Sequence, residues 1–367
     1  MLTRALLVYG YAPSGHSAAA SAIEEAGLRA GLAFSRVEIA GDHHPLAGLA
    51  VARAYHGLLG VAPQAWRELY HGAWARAIMR AVRASYLTLG GARRLREGVR
   101  RSGAQVVVCP QAAVAAVLSE ARLRGLLDIP VVSVLTDYGV HPFWTDPPAD
   151  LILVPTQAAA IELRGLGAPR VVATGIPVHP AFGCAPGREE ARRALALPAS
   201  APVVLLSGGG KGLGGLERSA HALLAASPRA NLLVLCGAND RLRRVLRSNR
   251  VASTRLRVFG PQPPAFVAAL MSAADLHLGK PGGLSAAESL ASGLPMVLTG
   301  ALPGQEEANA RYLLAAGAAI EGGAVAAAAV LQDRPRLASL RAAASSAGLP
   351  LAAVRAACEI AAPAASR

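Results

Sequence analysis

The chain has 367 residues, of which 53% are hydrophobic and 16% charged, and its formal net charge is +14. A chain of this length predicts two domains, since single domains usually hold roughly 100–200 residues, and two domains predict a cleft. The hydrophobic content supplies ample core and excludes an intrinsically disordered chain. Four cysteines without a CxxC pair disfavour both a structural zinc site and a disulfide framework.

The sequence predicts neither a targeting segment nor a membrane-spanning helix. Its N-terminus has only a short apolar run before a glycine-containing loop, so we expect no signal peptide. A long uncharged stretch, 102–119, is interrupted by Gln105, Pro110 and Gln111, which favours a buried strand followed by a helix over a transmembrane helix. We therefore expect the protein to stay in the cytoplasm.

Much of the positive charge lies in one segment. Residues 51–110 contain ten arginines and two glutamates, together with Trp66, Tyr70, Trp74 and Tyr86. A basic segment with interfacial aromatic residues predicts peripheral contact with an anionic membrane surface, here the inner face of the cell membrane. A solvated basic helix and a nucleic-acid patch are the alternatives. No nucleic-acid-binding motif accompanies the charge, so we expect no nucleic-acid partner.

Short apolar runs bounded by glycine and proline alternate with helix-length segments along the whole chain. The predicted strands lie within 4–11, 33–40, 105–110, 130–135, 150–155, 169–175, 201–210, 231–237, 255–260, 274–279 and 295–300. Strands without in/out alternation, separated by helices, indicate parallel sheets covered on both faces. The predicted fold class is α/β, with two Rossmann-like, doubly wound domains.

A Pro- and Gly-rich stretch around residues 175–198 interrupts this rhythm and predicts the linker between the domains. We place the N-terminal domain at 1–178, the linker at 179–200 and the C-terminal domain at 201–340. The alanine-rich remainder, 341–367, is predicted to be a helical tail.

The two lysines of the chain, Lys211 and Lys280, both lie in glycine-rich loops that follow predicted strands. The loop 207–215 leads into a helix, and bare backbone N–H groups next to a helix N-terminus suit a diphosphate. The loop 279–283 leads into a second helix in the same way. Since ligands bind at the carboxyl edge of open α/β sheets, we predict that both loops bind phosphate.

Polar side chains close to these loops suit the rest of a nucleotide sugar. Ser285 lies near the start of the second helix. Glu288, just past the first turn, suits hydrogen bonds from both ribose hydroxyls, with a surface salt bridge as the alternative. The turn at 302–309 starts another helix with a polar cluster that offers acceptors for sugar hydroxyls.

Two other nucleotide-binding classes have partial signals in the sequence. Residues 10–17 mimic a P-loop, with His16 in the lysine position and an acidic segment at 131–137. The missing lysine argues against a P-loop NTPase, because that side chain reaches the phosphates. The glycines at 208–212 lack the full dinucleotide-binding spacing, and no acidic residue ends the strand at Leu235, which disfavours an NAD-dependent dehydrogenase.

Five segments together resemble one known family. They are SGHSAAASAI (14–23), TDYGVHPFWTDPPADLILVPT (136–156), ATGIPVHPAF (173–182), GKPGGLSAAESLASGLPMVL (279–298) and PGQEEANARYL (303–313). In this order they resemble the group of monogalactosyldiacylglycerol synthases and processive diacylglycerol glucosyltransferases, which is related to the peptidoglycan N-acetylglucosaminyltransferase. The resemblance spans nearly the whole chain, and the last two segments are the most specific.

The resemblance implies a GT-B fold, in which an N-terminal domain binds the lipid acceptor and a C-terminal domain binds a UDP-sugar across a cleft. It implies a site in which Gly209 and Gly210 lie near the diphosphate, Phe259 and Gly260 near uracil, and Glu288 on the ribose. The loop Lys280, Pro281, Gly282 and Gly283 with Ser285 completes the diphosphate site, and Gln305 and Glu306 lie near the sugar. The implied substrates are UDP-glucose or UDP-galactose and diacylglycerol.

The expected reaction is an inverting hexosyl transfer. A base removes the proton of the diacylglycerol hydroxyl, the oxygen attacks C1, and UDP leaves. For the base we favour His16, whose ordinary pKa suits neutral pH, with Asp137 as its orienting partner or as a rival base. Lys280, Lys211 and two helix N-termini would stabilise the leaving diphosphate. We expect no metal site and no cofactor besides the donor.

Departures from the family pattern leave the donor sugar and processivity open. They are Pro13-Ser14 in the first loop, Lys211 in place of a neutral residue, and His277-Leu278-Gly279 before the second lysine. Within the same fold, a lipid-linked N-acetylglucosaminyltransferase of cell-wall synthesis and a UDP-sugar epimerase are alternatives. A protein of a different class, a non-catalytic homologue that binds a glycolipid or UDP-sugar, is a further alternative.

Overall fold

The structure is a computed structural model that describes residues 2–10, 14–39, 73–248, 254–301 and 304–365. The chain divides into two compact units, each built on one six-stranded sheet. The first unit comprises residues 1–179, 303–305 and 351–367, and the second comprises residues 180–302 and 306–350.

The sheet of the first unit is entirely parallel. Its strands are β1 (Thr3–Tyr9), β2 (Leu32–Glu38), β3 (Val106–Cys109), β4 (Val131–Val134), β5 (Leu151–Val154) and β6 (Val171–Ala173). Their order is β2-β1-β3-β4-β5-β6, with Leu6 paired to Val107 and Val108 to Val132. The strand order reverses between β1 and β3, and such a switch point forms the ligand crevice of open α/β sheets.

Helices cover both faces of this sheet. They are α1 (Gly15–Arg29), α2 (Ala73–Tyr86), α3 (Ala92–Ser102), α4 (Ala112–Leu123) and α5 (Gln157–Gly165). Successive residues of a strand point to opposite faces, so Leu6 packs in a core with Leu118 of α4 and Leu163 of α5. Its neighbour Leu7 packs on the other face with Ile23 of α1. Both faces are therefore buried, as the non-alternating strands predicted.

The second unit holds another parallel sheet. Its strands are β7 (Val203–Ser207), β8 (Asn231–Leu235), β9 (Leu256–Phe259), β10 (Leu276–Gly279), β11 (Met296–Leu298) and β12 (Ala319–Glu321). Their order is β12-β11-β10-β7-β8-β9, and Ser207 at the end of β7 pairs with Gly279 at the end of β10. This is the Rossmann order, with its switch point between β7 and β10.

The helices of the second half follow these strands in turn. They are α6 (Arg188–Ala194), α7 (Leu216–Ala226), α8 (Asp240–Ser248), α9 (Pro264–Ala273), α10 (Gly283–Ala291), α11 (Gln305–Ala315), α12 (Gly323–Gln332) and α13 (Arg334–Ala347). On one face of the sheet, Leu206 and Val234 share a core with Leu223 of α7 and Leu246 of α8. On the other, α9 packs against α6 and contacts β7. The predicted doubly wound α/β architecture is confirmed in both units.

The last helix, α14 (Ala352–Ala365), belongs to the first unit. Its buried residues Ala353, Ala357 and Ile360 pack in the same core as Ile23 of α1. The segment expected to form one helical tail is therefore divided. Residues 341–347 end helix α13 in the second unit, so the expected boundary at residue 340 lies inside a helix.

One segment, Arg334–Ala362, is long and apolar enough to cross a membrane by length and composition alone, with a hydropathy of 1.3. This differs from the expectation of no such segment, which was based on the uncharged stretch 102–119 rather than on mean hydropathy. The segment is folded as α13 and most of α14, each of fourteen residues. A helix of that length extends about 21 Å, short of a hydrocarbon core of roughly 30 Å.

Candidate active site

The connection between β1 and α1 places His16 in the first turn of a well-capped helix. The Ser14 hydroxyl accepts a hydrogen bond from the Ser17 N–H (3.1 Å), and the Ser17 hydroxyl accepts one from the Ser14 N–H (2.9 Å). This reciprocal capping box satisfies two otherwise free donors and fixes where the helix begins. Nearby, the Gln111 side chain accepts a hydrogen bond from the Gly10 N–H (2.7 Å), which ties the ends of β1 and β3 together.

The His16 ring lies among groups from three neighbouring strand ends. Its Nδ1 is 3.1 Å from the hydroxyl of the buried Thr136, just after β4, and the Pro110 carbonyl after β3 accepts a hydrogen bond from the ring. Burial lowers the pKa of His16, against the opposing effects of Asp137 and Pro110. The imidazole is therefore neutral at neutral pH, the form that can accept a proton. Thr136 was not predicted as a partner of His16, since the two residues lie 120 positions apart.

The glycine-rich loop after β7 is held by its own backbone. The Gly208, Gly209 and Gly210 carbonyls accept hydrogen bonds from the N–H groups of Leu213, Gly212 and Ala238, at 3.0, 3.0 and 2.9 Å. A side chain at two of these glycines has no room. A Cβ at Gly208 would overlap the Leu213 carbonyl, and one at Gly212 would overlap the Cys236 carbonyl. The glycines thus allow the close backbone approach that shapes the loop.

This loop presents unused donors. In the part of the chain that the structure describes, the N–H groups of Gly209 and Gly210 donate to no other group. Gly209 has φ +67°, and N–H groups around such a left-handed residue converge into an anion-binding concavity. The exposed Lys211 follows, and α7 begins after Gly215 without a side-chain cap. The arrangement is suited to a phosphate group.

The loop after β10 is held by helix α11. Lys280 forms an ion pair with the buried carboxylate of Glu306, and the buried Asn309 side chain donates to the Pro281 carbonyl at 3.0 Å. Helix α10 then begins at Gly283 with no side-chain cap on Gly282, which leaves its first N–H groups free for a ligand. Sequence analysis placed Asn309 in a polar cluster but did not predict its contact with Pro281.

The two loops lie side by side at the switch point between β7 and β10. A Cβ built on Gly209 would be 3.8 Å from the Lys280 side chain. The structure therefore brings together Gly209, Gly210 and Lys211 with Lys280, Pro281, Gly282 and Gly283. Ser285 lies in the first turn of α10 and Gln305 begins α11.

Glu288 is a half-buried carboxyl group on α10. Burial raises its pKa to about 8. Among the described residues its side chain has no hydrogen-bond or ion-pair partner. A carboxyl group in this state is expected to gain from ligand hydroxyls that donate hydrogen bonds to it.

Phe259 and Gly260 lie at the end of the edge strand β9, two strands from the switch point. The Phe259 carbonyl accepts a hydrogen bond from the Cys236 N–H (2.9 Å), and its ring contacts the Phe266 ring at 5.5 Å. Gly260 packs against the Arg243 guanidinium. The Phe259 carbonyl thus already accepts one hydrogen bond inside the protein, and its second lone pair is available to a nucleobase.

In the described ranges, no group of three or more His, Cys, Asp or Glu side chains is placed to hold a metal ion.

Only part of the basic segment can be described. Trp66 and Tyr70 lie outside the described residues, as does the side chain of Trp74. Two arginines of this segment form ion pairs within the first unit. The buried Arg83 lies 3.6 Å from the Asp146 carboxylate, and Arg80 lies 2.8 Å from the same carboxylate. Exposed arginines lie on α3, at positions 93, 96, 100 and 101.

The turn between α2 and α3 adds an apolar group to this surface. Leu89 is 76% exposed there. In addition, Val82 on the last turn of α2 is 53% exposed. The exposed arginines of α3 and these two apolar side chains are together called the α2–α3 surface.

Two Rossmann-like units with parallel sheets, each with polar groups at its switch point, define a two-domain α/β fold of the GT-B class. The structure of MurG from Acinetobacter baumannii has this fold, with a TM-score of 0.59 at 17% identity and coverage of 98% of this chain and 99% of MurG.

Sequence comparison finds a family model and relatives that this chain resembles. Residues 16–178 match the family described as "Monogalactosyldiacylglycerol (MGDG) synthase". The chain is 33% identical over 204 residues to "Probable monogalactosyldiacylglycerol synthase 2, chloroplastic" of Oryza sativa subsp. japonica. The aligned region covers 52% of this chain and 43% of that protein. It is 26% identical over 321 residues to "Processive diacylglycerol beta-glucosyltransferase" of Bacillus cytotoxicus. That aligned region covers 86% of this chain and 81% of the relative. The resemblance to this group of proteins, predicted from the sequence motifs, is confirmed.

Proposed function

We propose that the protein is a glycosyltransferase that moves a hexose from UDP-glucose or UDP-galactose to the hydroxyl of diacylglycerol, with inversion at the anomeric carbon. The observation that carries this proposal is the family match over residues 16–178, which starts at His16 and includes Thr136 and Asp137. The names of the relatives, a monogalactosyldiacylglycerol synthase and a diacylglycerol beta-glucosyltransferase, support diacylglycerol as the acceptor.

In this proposal the first unit supplies the base. Neutral His16 takes the proton of the acceptor hydroxyl, and the oxygen attacks C1 of the sugar as the bond to UDP breaks. Thr136 holds the ring through Nδ1, and the ring nitrogen that does not donate to the Pro110 carbonyl is the atom that receives the proton. Asp137 then stabilises the imidazolium, because its charge raises the pKa of His16.

The second unit binds the donor in this proposal. The N–H groups of Gly209 and Gly210, with those at the start of α10, hold the diphosphate and stabilise its charge as it leaves. Lys280 reaches the same charge if it exchanges its partner Glu306 for phosphate oxygens. Glu288 accepts the ribose hydroxyls, and Gln305 and Glu306 contact the sugar. We further propose that the transfer needs no metal ion.

The α2–α3 surface supports a peripheral position on the inner face of the cell membrane. The arginines attract anionic headgroups, and the exposed apolar side chains beside them enter the membrane interface. This position would give the enzyme access to diacylglycerol, which stays in the bilayer.

The test is transfer by the full chain from labelled UDP-glucose and UDP-galactose, in parallel, to diacylglycerol in anionic vesicles, with and without EDTA. We expect labelled glycolipid from one donor or both, equal rates in EDTA, and no product from a His16→Ala variant. Binding of UDP-sugar without any glycolipid would exclude diacylglycerol as acceptor. Undecaprenyl-linked acceptors and a non-catalytic role would then be tested next, and conversion of the UDP-sugar in the absence of lipid would point to an epimerase.

A further inference from the structure

A chain of three buried polar side chains lies beneath the two phosphate loops. The hydroxyl of Ser207, the last residue of β7, is 2.7 Å from Nε2 of His277 in β10. Nδ1 of the same ring is 2.6 Å from the hydroxyl of Ser289 in α10. His277 and Ser289 are fully buried and Ser207 is 7% exposed. One imidazole therefore links three secondary-structure elements.

The proton arrangement of this chain follows from burial. Burial lowers the pKa of His277 to about 4, so the ring is neutral at neutral pH. A neutral imidazole has one donor nitrogen and one acceptor nitrogen. One serine therefore donates to the ring while the other accepts from it, and both ring nitrogens are satisfied.

Close packing alone does not require polar side chains at these three positions. A small or medium apolar side chain at each of the three positions would fill the same space without burying polar groups, whose desolvation costs free energy. Both hydrogen bonds are short, and each fixes a distance between elements that apolar contacts leave looser. The chain thus acts as a spacer between β7, β10 and α10.

Each of the three residues is close in sequence to a group assigned to the donor. Ser207 immediately precedes the glycine-rich loop, and Ser289 immediately follows Glu288. His277 lies three positions before Lys280. At the same level Gly279 passes so close to β7 that a Cβ there would be 2.6 Å from the Ser207 carbonyl. A change in the spacing of these elements would therefore displace the loops directly.

We propose that His277 is a positioning residue for the donor diphosphate, which fixes the glycine-rich loop and helix α10 at the spacing that a nucleoside diphosphate requires. The inference rests on the proposed function, since it assigns the diphosphate to these loops. His277 acts through Ser207 and Ser289 and does not touch the ligand.

The decisive variant replaces the whole chain by apolar residues, Ser207→Ala, His277→Leu and Ser289→Ala together, so that no polar group remains buried without a partner. We expect it to stay folded, with a dissociation constant for UDP about tenfold above wild type, by analogy with the effect of removing residues that orient metal ligands. We also expect the KM for the UDP-sugar to rise more than kcat falls. If His277 had only a structural role, neither the UDP affinity nor the balance between the KM and kcat effects would change.

Single variants keep the test informative if the triple variant folds poorly. Ser207→Ala and Ser289→Ala each break one hydrogen bond of the chain, and each is expected to weaken UDP binding roughly threefold. Ser227→Ala, a similarly buried serine at the end of α7, is the matched control and should bind UDP as wild type does. Wild-type UDP affinity in the folded triple variant, or in both single variants, would overturn the inference. Failure of the wild-type protein itself to bind UDP would overturn the proposed function instead.

Discussion

Glu288 shows how one residue can link stability to pH. Its pKa is about 8 in the folded protein, whereas an unfolded chain has the ordinary value near 4.5. Between these values the unfolded state loses its proton first, so the folded state binds more protons. The contribution of Glu288 to stability is complete below about pH 4.5 and is lost as the pH rises to about 8, at up to roughly 1.4 kcal/mol per pH unit.

The variant Glu288→Gln tests this linkage. Because glutamine does not titrate, we expect the variant to be more stable than wild type at pH 7, by roughly 2 kcal/mol after allowance for partial exposure. The difference should vanish near pH 4.5. Urea unfolding at a series of pH values measures it. A constant difference across that range would contradict the raised pKa, and in the proposed site the same variant should bind UDP more weakly.

The pH profile of transfer separates His16 from Asp137 as the base. Burial lowers the pKa of His16, so activity should rise with pH below about 6.5 and be constant at neutral pH. Asp137 opposes that shift, so Asp137→Asn should move the acid limb of kcat/KM to lower pH and leave residual activity. Complete loss of activity in Asp137→Asn, with a measurable rate in His16→Ala, would instead assign the base to Asp137.

At the scale of elements, the glycine-rich loop depends on single glycines. A Cβ at Gly208 would overlap the Leu213 carbonyl, whereas one at Gly210 meets nothing within 4 Å. We therefore expect Gly208→Ala to destabilise the second unit by at least about 2 kcal/mol through forced backbone shifts. Gly210→Ala is the control for the folded state and should change stability by less than about 0.5 kcal/mol. Equal melting temperatures for the two variants would argue against the loop conformation.

The opposite end of the second sheet is held by a buried charge cluster. Asp275, at the start of β10, accepts hydrogen bonds from the Val203 N–H (2.8 Å) and the buried Arg192 (2.7 Å), and it pairs with Arg188. Loss of one member leaves a buried charge without its partner. Asp275→Asn is therefore expected to cost about 3 kcal/mol of stability.

This cluster also separates stability from binding. Asp275 lies at the amino end of the strand that carries Lys280 at its carboxyl end, so UDP affinity of the folded Asp275→Asn variant should match wild type. Asp240→Asn removes an exposed pair with Arg243 and is the control, with a change within about 0.5 kcal/mol. Denaturant unfolding and UDP titration check both effects. A small cost for Asp275→Asn would show that the remaining contacts of Arg192 suffice.

The sequence was informative about elements and less so about contacts between them. Every predicted strand is present, because buried parallel strands leave continuous apolar runs. Strand β12 was not predicted, since Ala319–Glu321 carries no such apolar run. The loops were found through glycines and lysines, which are local signals. The links from His16 to Thr136 and from His277 to Ser207 join residues 120 and 70 positions apart, and no local pattern encodes them.

At the scale of the whole molecule, the net charge of +14 is expected to act through its distribution. On the α2–α3 surface, Arg93, Arg96 and Arg100 are exposed, and they lie on one helix beside the exposed Leu89. The remaining arginines contribute to the same net charge from other positions. A general attraction to anionic lipid would therefore depend on the total charge, whereas a docking surface would depend on position.

Charge reversal at matched positions distinguishes these two cases. Replacing Arg93, Arg96 and Arg100 by glutamate should lower the affinity for vesicles that contain anionic lipid by at least roughly 100-fold, since each basic residue near the surface contributes separately. The same change at three exposed arginines of the second unit, Arg229, Arg334 and Arg336, alters the net charge equally and should have a much smaller effect. Cosedimentation with vesicles at two salt concentrations measures both, and screening should weaken the wild-type interaction at the higher one. Equal losses in the two variants would show that total charge, and not the α2–α3 surface, brings the protein to the membrane.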